Sequence, residues 1–189
     1  VGSEMCIRDR DEAVETTKIY SIAGQLPKGR GLITSRPFRS PHHSASAVSL
    51  AGGGATFRPG ECSLADCGVL FLDELPEFSR ESLEVLRQPL EDGQITVSRA
   101  AGSATYPSRF QLVAAMNPCK CGYYGHPTHP CTCSPSAVRQ YRSRVSGPLL
   151  DRIDLCVEMD PIAFDELHAA SPSESSAALR QQVLRARQV

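Results

Sequence analysis

The stretch that decides the fold is Gly68-Val69-Leu70-Phe71-Leu72-Asp73-Glu74, in which strand-favouring residues run into two adjacent carboxylates. A strand that is buried on both faces of a parallel sheet has this continuous apolar character. Ligand sites of open α/β sheets lie just beyond the carboxyl ends of such strands. The stretch therefore predicts a central strand of an α/β fold, with Asp73 and Glu74 at a ligand-binding edge.

The two carboxylates stand in an order that suits phosphate chemistry. At this edge Asp73 would hold a nucleotide-bound Mg²⁺ directly or through water, and Glu74 would orient or deprotonate an attacking water. This pattern is called Walker B in nucleotide-hydrolysing ATPases. The alternative is a buried strand whose acidic end caps the following segment, and the short stretch alone does not decide between the two.

Two further stretches follow along the chain. Residues 110–116 are a second apolar strand candidate that ends at Asn117, whose amide both donates and accepts hydrogen bonds. Asn117-Pro118 is equally an ordinary turn dipeptide. In residues 147–155, Arg152 carries a planar guanidinium suited to binding phosphate. Arg152 could instead form a local ion-pair cluster with the flanking aspartates.

These motifs resemble those of the magnesium-chelatase-like AAA+ ATPases, in particular the competence-associated ComM/YifB helicase subgroup. Three other segments, residues 36–43, 52–54 and 58–61, carry the same resemblance together with residues 69–76. The resemblance covers nearly all of the chain from about residue 11 onwards. The resemblance implies that Asn117 is the water-positioning sensor 1 and that Arg152 is an arginine finger reaching a neighbouring subunit. It implies catalytic roles for Glu74, Asn117 and Arg152, with Asp73 and Glu74 binding Mg-ATP.

The function implied by the resemblance is that of an ATP-hydrolysing ring motor. Such a motor uses ATP and Mg²⁺, assembles as a homo-hexamer, and acts on DNA in its central channel as a helicase or branch-migration translocase. One alternative is the motor subunit of a magnesium chelatase, which drives metal insertion into a tetrapyrrole. A further alternative is a zinc-stabilised binding module without hydrolysis.

The phosphate-binding loop of such ATPases is missing from the sequence. No G-x-x-x-x-G-K-[ST] pattern occurs, and neither Lys-Ser nor Lys-Thr follows Gly52-Gly53-Gly54. We therefore expect a fragment of an AAA+ core over residues 11–161, which alone binds ATP weakly or not at all, and the start of a helical lid over 162–189. Residues 1–10 fit nothing in the family and resemble translated adapter sequence, so they are set aside.

Four of the eight cysteines form two C-x-C pairs separated by nine residues: Cys119, Cys121, Cys131 and Cys133. Four thiolates can hold zinc tetrahedrally, and an irregular loop gains order from such a clip. A structural zinc site is favoured over free thiols or redox chemistry, and His126 or His129 could replace one cysteine. The isolated Cys62, Cys67 and Cys156 are predicted to be buried.

Around the glycine-rich residues 51–60, helices are predicted at residues 44–50 and 61–66, as in the helix-2 insert of the family. Residues 94–98 and 104–107 predict a hairpin that matches the family's presensor-1 hairpin. Arg99 lies at its tip, where the resemblance implies a contact with DNA phosphates. The alternative, which the sequence supports about equally, is that Arg99 is an ordinary exposed residue on a solvated hairpin.

Further helices are predicted at residues 12–22, 164–170 and 174–189, and another begins after the N-cap Ser79 and closes at Pro89 and Gly93. His42 and His43 are adjacent and would point to opposite faces of an extended segment, so one is expected at the surface and one partly buried. No catalytic role follows for either from the sequence.

The composition is that of a cytoplasmic globular domain, with 41% hydrophobic and 22% charged residues. Because the formal net charge is −1, any contact with DNA would have to be local. No run of about 18 apolar residues occurs, so neither a transmembrane helix nor a membrane partner is expected.

Overall fold

The structure is a computed structural model that describes residues 10–27, 29, 31–54, 57–99, 102–159 and 174–186. The chain divides into two compact units, Val1–Leu155 and Cys156–Val189. Residues 1–9 and the helix predicted at 164–170 lie outside the described residues, as does the predicted domain boundary at 161.

Helices and strands follow the chain in an alternating order. The strands are β1 (Phe38–Arg39), β2 (Gly52–Gly53), β3 (Arg58–Pro59), β4 (Val69–Leu72), β5 (Gln94–Arg99), β6 (Gly102–Pro107) and β7 (Gln111–Ala114). The helices are α1 (Arg10–Ile22), α2 (Ala47–Ala51), α3 (Glu61–Leu64), α4 (Arg80–Glu84), α5 (Arg87–Asp92), α6 (Pro135–Arg142), α7 (Gly147–Leu150) and α8 (Ser176–Ala186).

The main sheet is parallel, with the strand order β1-β4-β7. Its register pairs Phe38 with Val69 and Leu72 with Ala114, so all three strands end at the same edge. Leu70 and Leu72, which share one face of β4, are fully buried, whereas Val69 and Phe71 on the opposite face are only partly buried, so one face is covered more completely than predicted. The predicted α/β class is confirmed, and the sheet is consistent with an AAA+ P-loop type of fold.

Gly68 lets β1 approach the first residue of β4. The backbone N–H of Val69 donates to the carbonyl of Pro37 at 2.9 Å. A Cβ atom at Gly68 would lie 2.1 Å from that same carbonyl oxygen, well inside van der Waals contact. Only glycine therefore fits at the start of this strand.

One buried carboxylate fixes the start of β7. Asp66 is fully buried and accepts a hydrogen bond from the backbone N–H of Arg109 at 2.9 Å. The guanidinium of Arg109 also reaches Asp66, with Nε 3.6 Å from Oδ1, and Arg109 pairs with Glu15 of α1. These contacts attach α1 and β7 to the segment that leads into β4.

The predicted helix–loop–helix insert and hairpin are both present. Helix α2 ends at Gly52, β2 and β3 form an antiparallel pair, and α3 follows at Glu61. Strands β5 and β6 pair antiparallel from Gln94 with Pro107 to Arg99 with Gly102. Insert and hairpin therefore lie within the first unit, on the stretch of chain between β1 and β7.

The segment after the Asp-Glu pair differs from prediction in one respect. Ser79 caps α4, accepting from the backbone N–H of Ser82 at 3.1 Å, as predicted. Pro89, however, does not close a helix, since it lies in the first turn of α5. Proline is tolerated there because first-turn N–H groups have no partner within the helix. Gly93, with φ 65°, caps α5 as predicted.

The second unit contributes α8, inside the helix predicted at 174–189, and its role as the start of a lid stays a prediction. Leu179 and Val183 of α8 are about half exposed, at 48% and 56%. Cys156 is exposed and Cys67 only partly buried, so of the isolated cysteines only Cys62 is buried as predicted. Throughout the described ranges, no helix is long and apolar enough to cross a membrane.

Candidate nucleotide-hydrolysis edge and cysteine cluster

Three of the predicted site residues come together where the parallel strands end. Asp73 and Glu74 directly follow β4, and Asn117 stands three residues past the end of β7. All three side chains are exposed. The backbone N–H of Ala115 donates a hydrogen bond to the carbonyl of Leu72 at 2.9 Å, which extends the pairing of β4 with β7 beyond the strands. We call Asp73, Glu74 and Asn117 the carboxyl edge.

The backbone at Glu74 has a conformation that non-glycine residues rarely adopt. Its φ of 52° and ψ of 46° are left-handed, and a 3₁₀ turn, Leu75–Glu77, follows at once. Such a conformation costs about 1–3 kcal/mol and is typical of functional sites. The Oδ1 atom of Asp73 accepts from the backbone N–H of Glu74 at 2.9 Å, which holds the turn.

His43 is a functional candidate to which sequence reasoning assigned no role. Its Nδ1 lies 2.9 Å from Oε2 of Glu74. His43 is partly buried and His42 is exposed, as predicted, but the two side chains do not point to opposite faces, because their rings pack together with centroids 4.0 Å apart. The position of His43 in the sequence could have indicated this contact. A polar residue shortly after β1, the strand that neighbours β4, lies near the carboxyl edge.

Arg152 follows α7 and is occupied within its own chain. It forms an ion pair with Glu91 of α5, and its guanidinium also donates to the carbonyl of Pro148. Its side chain is 23% exposed, and its Nε is buried with no partner among the described residues. Its partner is therefore Glu91 and not either flanking aspartate, and the finger role stays a prediction.

Arg99 is exposed at the end of β5, and its neighbour Gly102 begins the returning strand. A Cβ atom at Gly53 would lie 3.4 Å from a terminal nitrogen of Arg99. The guanidinium thus lies beside the glycine-rich insert, so the predicted insert and the predicted hairpin meet at one place. A contact of Arg99 with DNA stays a prediction.

The four clustered cysteines have the arrangement of a metal site. Their sulfur atoms all lie within 4.8 Å of one another, and Cys119 is fully buried. The sulfur of Cys119 is 3.3 Å from that of Cys121 and 3.7 Å from that of Cys131. Zn–S bonds of about 2.3 Å in a tetrahedron require S···S distances of about 3.8 Å. The cysteines are free thiols in the structure, and their spacing fits zinc.

The electrostatics of this cluster also fit a cation. The backbone N–H groups of Tyr123 and Thr132 lower the pKa of Cys121 to about 5. The backbone N–H of Cys133 lowers the pKa of Cys131, but burial and the sulfurs of Cys121 and Cys119 raise it to about 12. One thiolate thus opposes ionisation of its neighbours, and four thiolates together need a positive ion between them.

The two loop histidines are used differently from the cysteines. The Nδ1 of His126 accepts from the backbone N–H of His129 at 3.0 Å, and the two rings stack with centroids 4.9 Å apart. Neither histidine belongs to the metal-binding group that the described residues form with Cys119. The guanidinium carbon of Arg142 lies over the ring of Tyr124, 5.0 Å from its centroid, and this contact attaches the loop to α6. The four-cysteine ligand set is therefore the better one.

The parallel sheet with its acidic carboxyl edge defines an α/β protein consistent with a P-loop type of fold, and comparison with known proteins gives the family. Residues 4–167 match the family described as magnesium chelatase, subunit ChlI, and the chain belongs to that family. Within it, the chain falls in the ComM/YifB subgroup, in agreement with the resemblance seen in the sequence.

Two relatives support this placement. The chain is 49% identical over 179 residues to the competence protein ComM of Haemophilus influenzae and 48% identical over 180 residues to YifB of Escherichia coli K12. Each alignment covers 94% of this chain and 35% of the relative, so the chain spans about a third of their length. The ChlI subunit of Porphyra purpurea is 34% identical over 70 residues, 37% of this chain and 20% of its own.

Proposed function

We propose that the chain is part of an ATP-hydrolysing AAA+ ring motor that acts on DNA as a helicase or branch-migration translocase. The observation that carries the proposal is the carboxyl edge. It places a carboxylate pair after the central strand and an amide after its neighbour, all open to solvent. Residues in these positions suit Mg-ATP binding and the activation of water.

Each residue of the carboxyl edge has a distinct part in this reaction. Asp73 holds the nucleotide-bound Mg²⁺, because carboxylates and phosphates share the magnesium coordination sphere in such sites. Glu74 takes the proton of the attacking water as general base. Asn117 aligns the same water by a hydrogen bond from its amide.

The DNA substrate is supported by the resemblance to the helicase subgroup and by the position of Arg99. Its guanidinium is exposed beside a glycine-rich loop, where backbone and side chain together can follow a phosphate backbone. A net charge of −1 leaves no general affinity for DNA, so this local surface carries the contact.

The test measures ATP turnover of the full-length protein with and without DNA. Replacing Glu74 by Gln keeps the shape but removes the base, so turnover should fall about 10²-fold or more while ATP still binds. Glu81→Gln is the matched control, because Glu81 is an exposed carboxylate in α4 away from the edge. Normal turnover in Glu74→Gln would end the assignment. If DNA does not change the ATP turnover of the wild-type protein, the proposed action on DNA is wrong.

We further propose that Arg152 completes the site of a neighbouring subunit in a homo-hexamer. Arg152 is paired with Glu91 within its own chain, so in this proposal it leaves that carboxylate in order to reach a phosphate. Mixing Arg152→Ala with Glu74→Gln protein should recover some turnover, since one interface in the mixed ring is intact. Absence of recovery at every ratio, with assembly preserved, would mean that Arg152 acts within its own chain.

A magnesium-chelatase motor is the second candidate, favoured by the description of the matching family. The ComM relative is more similar over far more of the chain than the ChlI relative, which favours the first candidate. DNA-stimulated turnover supports the helicase. Turnover stimulated by a chelatase partner loaded with a tetrapyrrole, and indifferent to DNA, would support the chelatase.

A further inference from the structure

His43 meets Glu74 because of the sheet register. Strands β1 and β4 are parallel, and Arg39 pairs with Leu70. His43 is four residues beyond Arg39, and Glu74 is four residues beyond Leu70, so both side chains leave the sheet at the same level. The contact therefore follows from the architecture of the sheet.

The direction of this hydrogen bond is fixed by chemistry. An ionised carboxylate only accepts, so Nδ1 of His43 carries the proton that it donates to Oε2 of Glu74 at 2.9 Å. The ring of His42 packs on that of His43, with centroids 4.0 Å apart and planes 36° apart. The Nδ1 of His42 lies 2.8 Å from the hydroxyl of Ser44 and accepts from its backbone N–H. The contacts with Ser44 fix the ring of His42, which in turn packs against one face of the His43 ring.

Only one oxygen of Glu74 is engaged by this contact. Oε2 is bound to His43, whereas Oε1 makes no hydrogen bond to any residue that the structure describes. The side chain of Glu74 is 51% exposed, so Oε1 is accessible to water. The left-handed backbone at Glu74 and the contact with His43 together determine where Oε1 points.

We propose that His43 is the positioning residue for the general base, holding Oε2 of Glu74 so that Oε1 faces the attacking water. The inference rests on the proposed function of Glu74. His43 touches neither nucleotide nor water in this scheme and acts only through the carboxylate. Its loss should therefore lower the rate of hydrolysis and leave ATP affinity unchanged.

The experiment compares three variants at His43 in the full-length protein. His43→Ala removes ring and donor, His43→Phe keeps a ring beside His42 but has no donor, and His43→Asn keeps an N–H donor near the position of Nδ1. We expect kcat to fall about tenfold in the Ala and Phe variants, as loss of one orienting hydrogen bond predicts, with KM for ATP changed less than twofold. His43→Asn should recover most of kcat.

A matched control and a double variant separate this inference from the proposed function. Glu81→Gln again serves as the control, because Glu81 is an exposed carboxylate of α4, and it should leave kcat unchanged. His43→Ala combined with Glu74→Gln should be no slower than Glu74→Gln alone, because His43 acts through Glu74. If Glu74→Gln is inactive but His43→Phe turns over normally, or Asn is no better than Phe, the positioning role is wrong while the proposed function stands. If Glu74→Gln is itself active, the proposed function fails first.

Discussion

The carboxyl edge and the cysteine cluster reach their geometry in opposite ways. The edge gathers Asp73 and Asn117 across 44 residues of chain, and hydrogen-bonded strands hold both in place. The cysteine cluster spans only Cys119 to Cys133, and its sulfurs converge without a sheet. The comparison teaches that the edge depends on backbone register, whereas for the cluster we predict a dependence on a bound metal ion, because its four sulfurs have the spacing of a zinc site.

Removal of the metal should give the largest effect, and it should act first on the cysteine cluster. We expect one zinc per chain, with binding worth on the order of 10 kcal/mol as in small structural zinc sites. Cys119→Ser should abolish it, since Cys119 is the buried ligand. Elemental analysis of protein purified without chelator measures the metal. Cys156→Ser, at an exposed isolated cysteine, should retain it.

The same zinc measurement can contradict the assignment. A metal content near zero, with all four thiols freely alkylated in the folded protein, would leave only a cysteine-rich loop. Zinc binding should also weaken on acidification, because protons compete for the thiolates. Since Asn117 is two residues before Cys119, chelation should lower ATP turnover indirectly.

Disturbing the register should damage the edge without touching the cluster. Gly68→Ala places a methyl group against the carbonyl of Pro37, so we expect a loss of about 3 kcal/mol or more in the free energy of unfolding. Gly147→Ala is the control, because a Cβ there meets nothing within 4 Å. Urea denaturation measures both. Equal stability of the two variants would show that β1 does not approach β4 as described.

The pKa values of the cluster predict which sulfur reacts first once the metal is removed. The pKa of Cys121 is lowered to about 5, so its thiolate is present at pH 7 and is lost as the pH falls through 5. The pKa of Cys131 is raised to about 12, so it stays a thiol at pH 7. After brief alkylation at pH 7, mass spectrometry should find that Cys121 is modified at least about tenfold faster than Cys131. Equal rates would contradict the hydrogen-bond pattern around Cys121.

The smallest effect concerns the helix that follows the edge. Ser79→Ala removes the cap of α4 and should cost about 1 kcal/mol of unfolding free energy, with or without chelator. Ser143→Ala, at an exposed serine near the end of α6, should cost a few tenths at most. Thermal unfolding with and without chelator compares them. A cost for Ser79→Ala that depended on zinc would show that the two regions are coupled.

The predictable parts of this molecule are those in which one local pattern has one structural solution. The apolar run before Asp73 forms the predicted central strand, and the two C-x-C pairs bring their four sulfurs together as their spacing predicted. Ser79 and Gly93 acted as helix signals because caps depend on immediate neighbours. Pro89 was misjudged because its effect depends on where a helix begins.

The contacts that sequence could not supply are those set by tertiary placement. The partner of Arg152 is Glu91, 61 residues earlier, and no local pattern distinguishes it from Asp151 or Asp154. The role of His43 depended on register between strands, which a single sequence does not state. Both involve polar side chains at the ends of elements, where the hydrophobic pattern carries no information.

The parallel register has a consequence for how quickly the site can form. Phe38 must find Val69 across 31 residues, and Val69 must find Gln111 across 42, whereas Cys119 meets Cys131 across 12. Loop-closure entropy makes the 42-residue closure about 1.1 kcal/mol harder than the 12-residue one, and non-local pairing slows folding. Newly made chains should therefore hold an ordered cysteine loop before they hold a carboxyl edge. Glu74 and His43 become neighbours only when the 31-residue closure between β1 and β4 is complete.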